Sequence, residues 1–116
     1  MASGKPALTV CLSPRAEDDL WAIWGDNLER YQDVHHADGY LDFLRTGINR
    51  LATEYGEGRP MAKYPEFKFV TLKKSRRGHG HFVIFRVSES EQIVKVLRVL
   101  HTRMDVEERL KKELDV

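Results

Sequence analysis

Seven residues near the end of the chain, Val94-Lys95-Val96-Leu97-Arg98-Val99-Leu100, restrict the fold more than any other segment. Their apolar members are β-branched or Leu and barely alternate with polar ones, the pattern of a strand covered on both faces. A chain with such a strand must supply other elements to cover it. Directly after it, His101-Thr102-Arg103-Met104-Asp105 places His, Arg, Met and Asp at the strand's exit. Polar groups delivered to a surface by a rigid strand are candidates for recognition or chemistry.

The covering elements are two amphipathic helices. Ser13-Pro14 predicts the start of the first, with Ser13 as N-cap and Pro14 at the first helical position, where no amide hydrogen is needed. Ala16, Leu20, Ile23, Trp24, Leu28 and Tyr31 then recur at helical spacing, with Trp21 beside the stripe. Gly25 inside this helix costs about 1 kcal/mol relative to Ala. A break near Gln32 to His36 precedes a second stripe: Ala37, Tyr40, Leu41, Leu44, Ile48, Leu51, Ala52 and Tyr55. Gly56 is placed to end it in the left-handed conformation. So short a break predicts an antiparallel helix hairpin.

Strands occupy most of the remainder. Leu8 to Ser13 alternates apolar and small polar residues and predicts the first. Phe67 to Leu72, with a phase shift at Phe69-Val70 that would fit a bulge, predicts the second. After the basic turn Lys73-Lys74-Ser75-Arg76-Arg77-Gly78 comes Gly80 to Arg86, then a hairpin loop at Ser88 to Glu91, then Gln92 to Leu100. Strands joined this closely are expected to be antiparallel. Alternation places Arg98 on the face of Val96 and Leu100. Met104 to Leu114 reads as a short charged helix with Val106, Leu110 and Leu114 at four-residue spacing. The expected class is α+β: a two-layer sandwich of an N-terminal strand, a helix hairpin, a three-stranded meander completing a four-stranded sheet, and a short C-terminal helix.

The chain of 116 residues is expected to be a single domain, 1–116, with a flexible extension over 1–7. No apolar run approaches the ~20 residues that span a bilayer, and the start lacks the apolar stretch of a signal peptide. The lone Cys11 excludes an internal disulfide and fits a cytoplasmic setting. Net charge is +1 but unevenly spread. Lys63 to Arg86 is basic, whereas Arg15 to Asp33 is acidic. Such polarity suits docking to a charged partner more than coating nucleic acid.

The element order, the opening Ser13-Pro14-x-Ala16-x-x-Asp19-Leu20 and the block Arg98-Val99-Leu100-His101-x-Arg103-Met104-Asp105 together resemble the ParE branch of the bacterial RelE/ParE toxins. Gly80 to Arg86 is similar to that branch's third-strand pattern. The resemblance runs from about Leu8 to Leu110. It implies a toxin of a type II toxin–antitoxin system, neutralised by a ParD-like antitoxin whose C-terminal segment wraps it. It also implies DNA gyrase as target, inhibited by binding, and contact with operator DNA only through the antitoxin. No cofactor and no membrane partner are expected.

The other branch of the superfamily cleaves messenger RNA on the ribosome. That chemistry needs a base, an acid and cations for the transition state. The resemblance implies an Arg on the third strand and an Arg with Tyr or His near the last strand and tail. Here the third-strand position is Phe82, the tail from Thr102 onward has no Tyr, and the sequence pI is only about 7.9. A binder with no catalytic residue is therefore the leading expectation, with a ribosome-dependent endonuclease as alternative; His81, Arg86, His101 and Arg103 are the acid/base set such an enzyme would use.

Candidate target-binding residues are Arg98, His101, Arg103, Met104 and Asp105. For His101 and Asp105 a structural role competes: His101 bonding backbone at the strand's end, Asp105 capping the last helix. Candidate antitoxin-binding residues are Trp21, Trp24 and Leu28 on the first helix, and Lys73, Lys74, Arg76 and Arg77 in the basic turn, which reads equally as a solvated hairpin tip. Two indoles exceed what a thin core needs, and Trp is enriched at interface anchors. His79-x-His81 would form half of a metal site, but no second pair accompanies it, so no metal is expected.

Overall fold

The structure is a computed structural model that describes residues 7–114, the side chains of 113 and 114 excepted. The flexible extension expected over 1–7 thus lies, Ala7 aside, outside the described residues, as does the side chain of Leu114. The elements run β1 (Thr9–Leu12), α1 (Pro14–Tyr31), α2 (Val34–Asn49), α3 (Leu51–Glu54), a one-turn 3-10 helix (Tyr55–Glu57), β2 (Arg59–Pro60), β3 (Lys68–Leu72), β4 (His81–Ser88), β5 (Ile93–His101) and α4 (Val106–Leu114). No helix among them is long and apolar enough to cross a membrane.

The fold is α+β, as expected, with five strands in the sheet instead of four, in the order β1-β5-β4-β3-β2. The extra strand, β2, is a two-residue edge ending in Pro60, too short to announce itself by alternation. β3, β4 and β5 form the antiparallel meander, and β1 adds parallel to the open edge of β5.

Ser13 caps α1 through its side-chain oxygen, which accepts from the Ala16 amide at 3.0 Å. The break between the helices is only Gln32 and Asp33. Gln32 takes the left-handed cap (φ 53°), and Asp33 caps α2 by accepting from His35 and His36, so α2 starts earlier than the apolar stripe indicates. Gly56 does not terminate the second helix. It continues the helical path inside the 3-10 turn.

The sheet has two covered faces, each with its own core. Toward α1 and α2 lie Leu72, Val83, Phe85, Val94, Val96 and Val99, packed on Ala16, Leu20, Leu44 and Ile48. On the other face Ile84, Leu100, Phe69, Phe82 and Leu97 pack against Met61, Phe67 and the α4 residues Val106 and Leu110. The two-layer expectation therefore gains a partial third layer, which gives β5 its double burial.

The bulge is not at Phe69-Val70, where β3 pairs with β4 in unbroken register. It lies on β5: Ile84 opposes Arg98 and Phe85 opposes Val96, leaving Leu97 as the extra residue. The slip moves Leu100 to the face opposite Val96, contrary to simple alternation.

Candidate functional site

β1 ends at Leu12 beside Val96, so among the described residues the outer edge of β5 beyond the bulge has no strand partner. α1 takes that place. The Ser13 amide donates to the Val96 carbonyl (2.8 Å) and the Ser13 hydroxyl to the Leu97 carbonyl (2.8 Å). The Asp19 carboxylate accepts from the Val99 amide (2.9 Å) and, through both oxygens, from the Arg98 guanidinium (2.7 and 2.9 Å). Arg98 and Asp19 side chains are only 11% and 15% exposed. Arg98, a candidate target-binding residue, therefore engages α1 and helps to seat the helix on the strand.

Past Val99 the strand delivers its polar exit. The Thr102 amide donates to the Gly80 carbonyl (3.0 Å), and the Gly80 amide to the Thr102 hydroxyl (3.3 Å). Only glycine fits at position 80, because a Cβ would stand 2.4 Å from the Leu72 carbonyl oxygen. This clasp brings three imidazoles together. The His101 ring is 5.2 Å from that of His81, its register partner, and 5.4 Å from that of His79. Arg103 contacts His79 Nε2 at 2.6 Å, and the Arg103 amide donates to His101 Nδ1 (3.0 Å). The Tyr40 hydroxyl, from α2, lies 2.8 Å from His81 Nδ1. His79, His81, His101 and Tyr40 line a groove of about 860 Å³ with Arg30, Tyr31, His36 and Lys74.

Burial, and then the neighbouring His101, hold His81 down at about 4, with Asp19 opposing them. His101 is lowered by burial and then by His79, Arg103 and Arg30. Burial raises Tyr40, so its phenol stays protonated and shares a hydrogen bond with a neutral His81. A depressed imidazole leaves the unfolded chain with more bound protons between about pH 4 and 6.5. Folding stability is thus expected to fall as pH drops through that window. Melting temperatures across pH 4 to 8, with His81→Gln showing a shallower slope, check this.

The remaining expected residues disperse. Asp105 caps α4, accepting from the Glu108 amide through Oδ1 (3.2 Å). Met104 is 39% exposed and lines a second groove, of about 640 Å³, on the outer sheet face with Met61, Tyr64, Phe69 and Phe82. Arg86 opposes Lys95 at the far end of β4, five residues and roughly 17 Å from His81. It does not join His101 and Arg103, and the expected acid/base set is not assembled. In the basic hairpin, Lys73 Nζ donates to the Arg76 carbonyl and the Arg77 amide to the Ser75 hydroxyl, while Lys74 alone of the four cations lines the histidine groove. Trp21 is 53% exposed, edge-on to Trp24 and under the Arg45 guanidinium. Trp24 is partly buried, with its indole donating to Asp38 (2.8 Å), and Leu28 is also partly buried. Among the described residues no group of three or more His, Cys, Asp or Glu could hold a metal ion.

Sequence reasoning missed Asp19, Tyr40 and Arg30. Asp19 carried a signal, a carboxylate between Ala16 and Leu20 on the apolar stripe; Tyr40 and Arg30 resemble ordinary stripe and surface residues.

Residues 10–106 match the family described as the ParE toxin of the type II toxin–antitoxin system parDE. Toxin ParE1 of Mycobacterium tuberculosis, in strains CDC 1551 / Oshkosh and ATCC 25618 / H37Rv, is 33% identical over 100 residues, which span 85% of this chain and 94% of that protein. A solved chain of the chromosomal ParDE toxin–antitoxin system from P. aeruginosa superposes with a TM-score of 0.66 at 18% identity, covering 82% of this chain and 96% of the other. The strand-edge clasp by Ser13 and Asp19 falls within the matched span, and the chain belongs to the ParE toxin family of type II toxin–antitoxin systems.

Proposed function

We propose that this ParE-family toxin acts in the cytoplasm by binding, with DNA gyrase as its target, and has no catalytic centre of its own. It would inhibit by preferring the cleaved-DNA state of gyrase, since a ligand shifts an equilibrium only toward the state it binds better. A ParD-like antitoxin would neutralise it by covering the same surface or holding the tail, and would carry any contact with operator DNA. An antitoxin segment that folds on binding can cover a large area. Across the exposed Trp21 and the basic hairpin it would meet an apolar anchor and positive charge.

One observation supports the binding reading: Phe82 stacks edge to face on Phe69 (5.5 Å) in the outer groove, so the third-strand position at which an endonuclease of this superfamily would carry an arginine is uncharged. The test is a supercoiling assay with purified gyrase. The toxin is expected to block supercoiling and accumulate cleaved DNA, and Arg103→Ala to weaken this on the order of tenfold, as loss of an interface arginine does. Unchanged supercoiling with no trapped cleavage complex removes gyrase. Transcripts cut after induction, with cutting lost in His101→Gln, would instead establish the endonuclease. Harmless expression without antitoxin would mark a toxin that has lost its action.

A further inference from the structure

We propose that the groove between the ends of α1 and α2 and the exit of β5 binds a nucleoside monophosphate, its phosphate among His79, His101, Arg103 and Lys74 and its base over Tyr31 and His36. This reading stands apart from the choice of protein target.

The phosphate end rests on a cluster of cationic and imidazole groups. Arg103 does not itself line the groove but contacts His79, which does, and His79, Arg103 and Arg30 all act on His101. Lys74 enters from the hairpin, its ammonium 3.9 Å from where a Cβ on Gly39 of α2 would lie. Two acids line the groove, Asp26 and Glu29 of α1, yet neither pairs with Arg30, Lys74 or Arg103. Every charged neighbour acting on His101 disfavours its protonated form. A dianion placed there would reverse that balance and recruit charge-assisted hydrogen bonds from the imidazoles, guanidinium and ammonium. Deeper in, His81 is engaged with Tyr40 through Nδ1 and stays neutral, so it brings no charge to a ligand.

The base end rests on two rings. Tyr31, 51% exposed, and His36 lie with centroids 4.1 Å apart and line the same groove. An exposed aromatic pair beside a cationic pocket offers the two things a nucleotide presents, a π-face and a phosphate.

The experiment titrates the purified full chain with AMP, adenosine and inorganic phosphate, following the histidine ring protons by NMR and the heat of binding. AMP is expected to shift His79, His101 and His36 saturably, to raise the midpoint of His101, and to bind more tightly at pH 6 than at pH 7.5. Lys74→Ala, at an exposed position, and His101→Gln, at a half-buried one, are each expected to weaken AMP roughly tenfold with an unchanged circular dichroism spectrum. Absence of saturable AMP binding overturns the proposal. Adenosine binding as well as AMP overturns the phosphate site. Inorganic phosphate binding as well as AMP overturns the aromatic half and makes free phosphate the ligand.

Discussion

Asp19→Ala is expected to destabilise the protein by about 3–5 kcal/mol, the cost of removing one partner from a buried ion pair. The carboxylate serves two donors at once, the Arg98 guanidinium and the Val99 amide, and both are screened from water by α1. Alanine leaves a buried cation and an orphaned strand-edge amide together. For a domain of this size the loss corresponds to a fall in Tm of roughly 10–20 °C. Urea unfolding measures it directly. Asp19→Asn keeps an acceptor for the amide and is expected to lose less. Adding Arg98→Met to Asp19→Ala is expected to restore part of the stability, because the buried guanidinium goes as well. If Asp19→Ala unfolds like the parent, the edge-capping role of α1 is wrong.

That ion pair also shows what could be read before any coordinates. Asp19 sits on an apolar helical stripe and Arg98 in a strand covered on both faces, so each needed a partner of opposite sign. The element order and the Ser13 cap follow from local patterns of the same kind, whereas the parallel pairing of β1 with β5 joins segments more than 80 residues apart. The bulge at Leu97 does not follow from such patterns, because two adjacent apolar positions read alike whichever face they take. Its consequence is large: it reverses Leu100 and frees the edge that Asp19 closes. The histidine groove was half legible. His79-x-His81 and His101 stood out as residues, but their convergence depends on the Gly80–Thr102 clasp and on Tyr40 arriving from α2, contacts of long sequence separation. Arg86 shows the reverse error. It shares a strand with His81, and strand length alone carries it out of reach.

Phe85→Ala is expected to cost a further large amount, about 3–5 kcal/mol, by opening a cavity beneath the helix layer. Phe85 is fully buried on the face shared with Val83 and Val96. Its ring presses on the backbone at Gly58, where a Cβ would stand 2.5 Å from Phe85 Cζ. Backbone forms that wall, so the site collapses little and the upper part of the range is expected. The same contact makes Gly58→Ala destabilising in the parent, although the backbone there (φ −69°) accepts alanine without strain. With the ring removed, the new methyl group loses its severe contacts, keeps a tight one with Lys68 Cβ (3.1 Å) and fills part of the void. The two substitutions are therefore expected to be non-additive: Gly58→Ala is harmful beside the native Phe85 and clearly less harmful once Phe85→Ala is in place. Denaturant unfolding of the two single variants and the double variant completes the cycle. Simple additivity would place the strain at Gly58 elsewhere and refute the packing of β4 against the segment leading into β2.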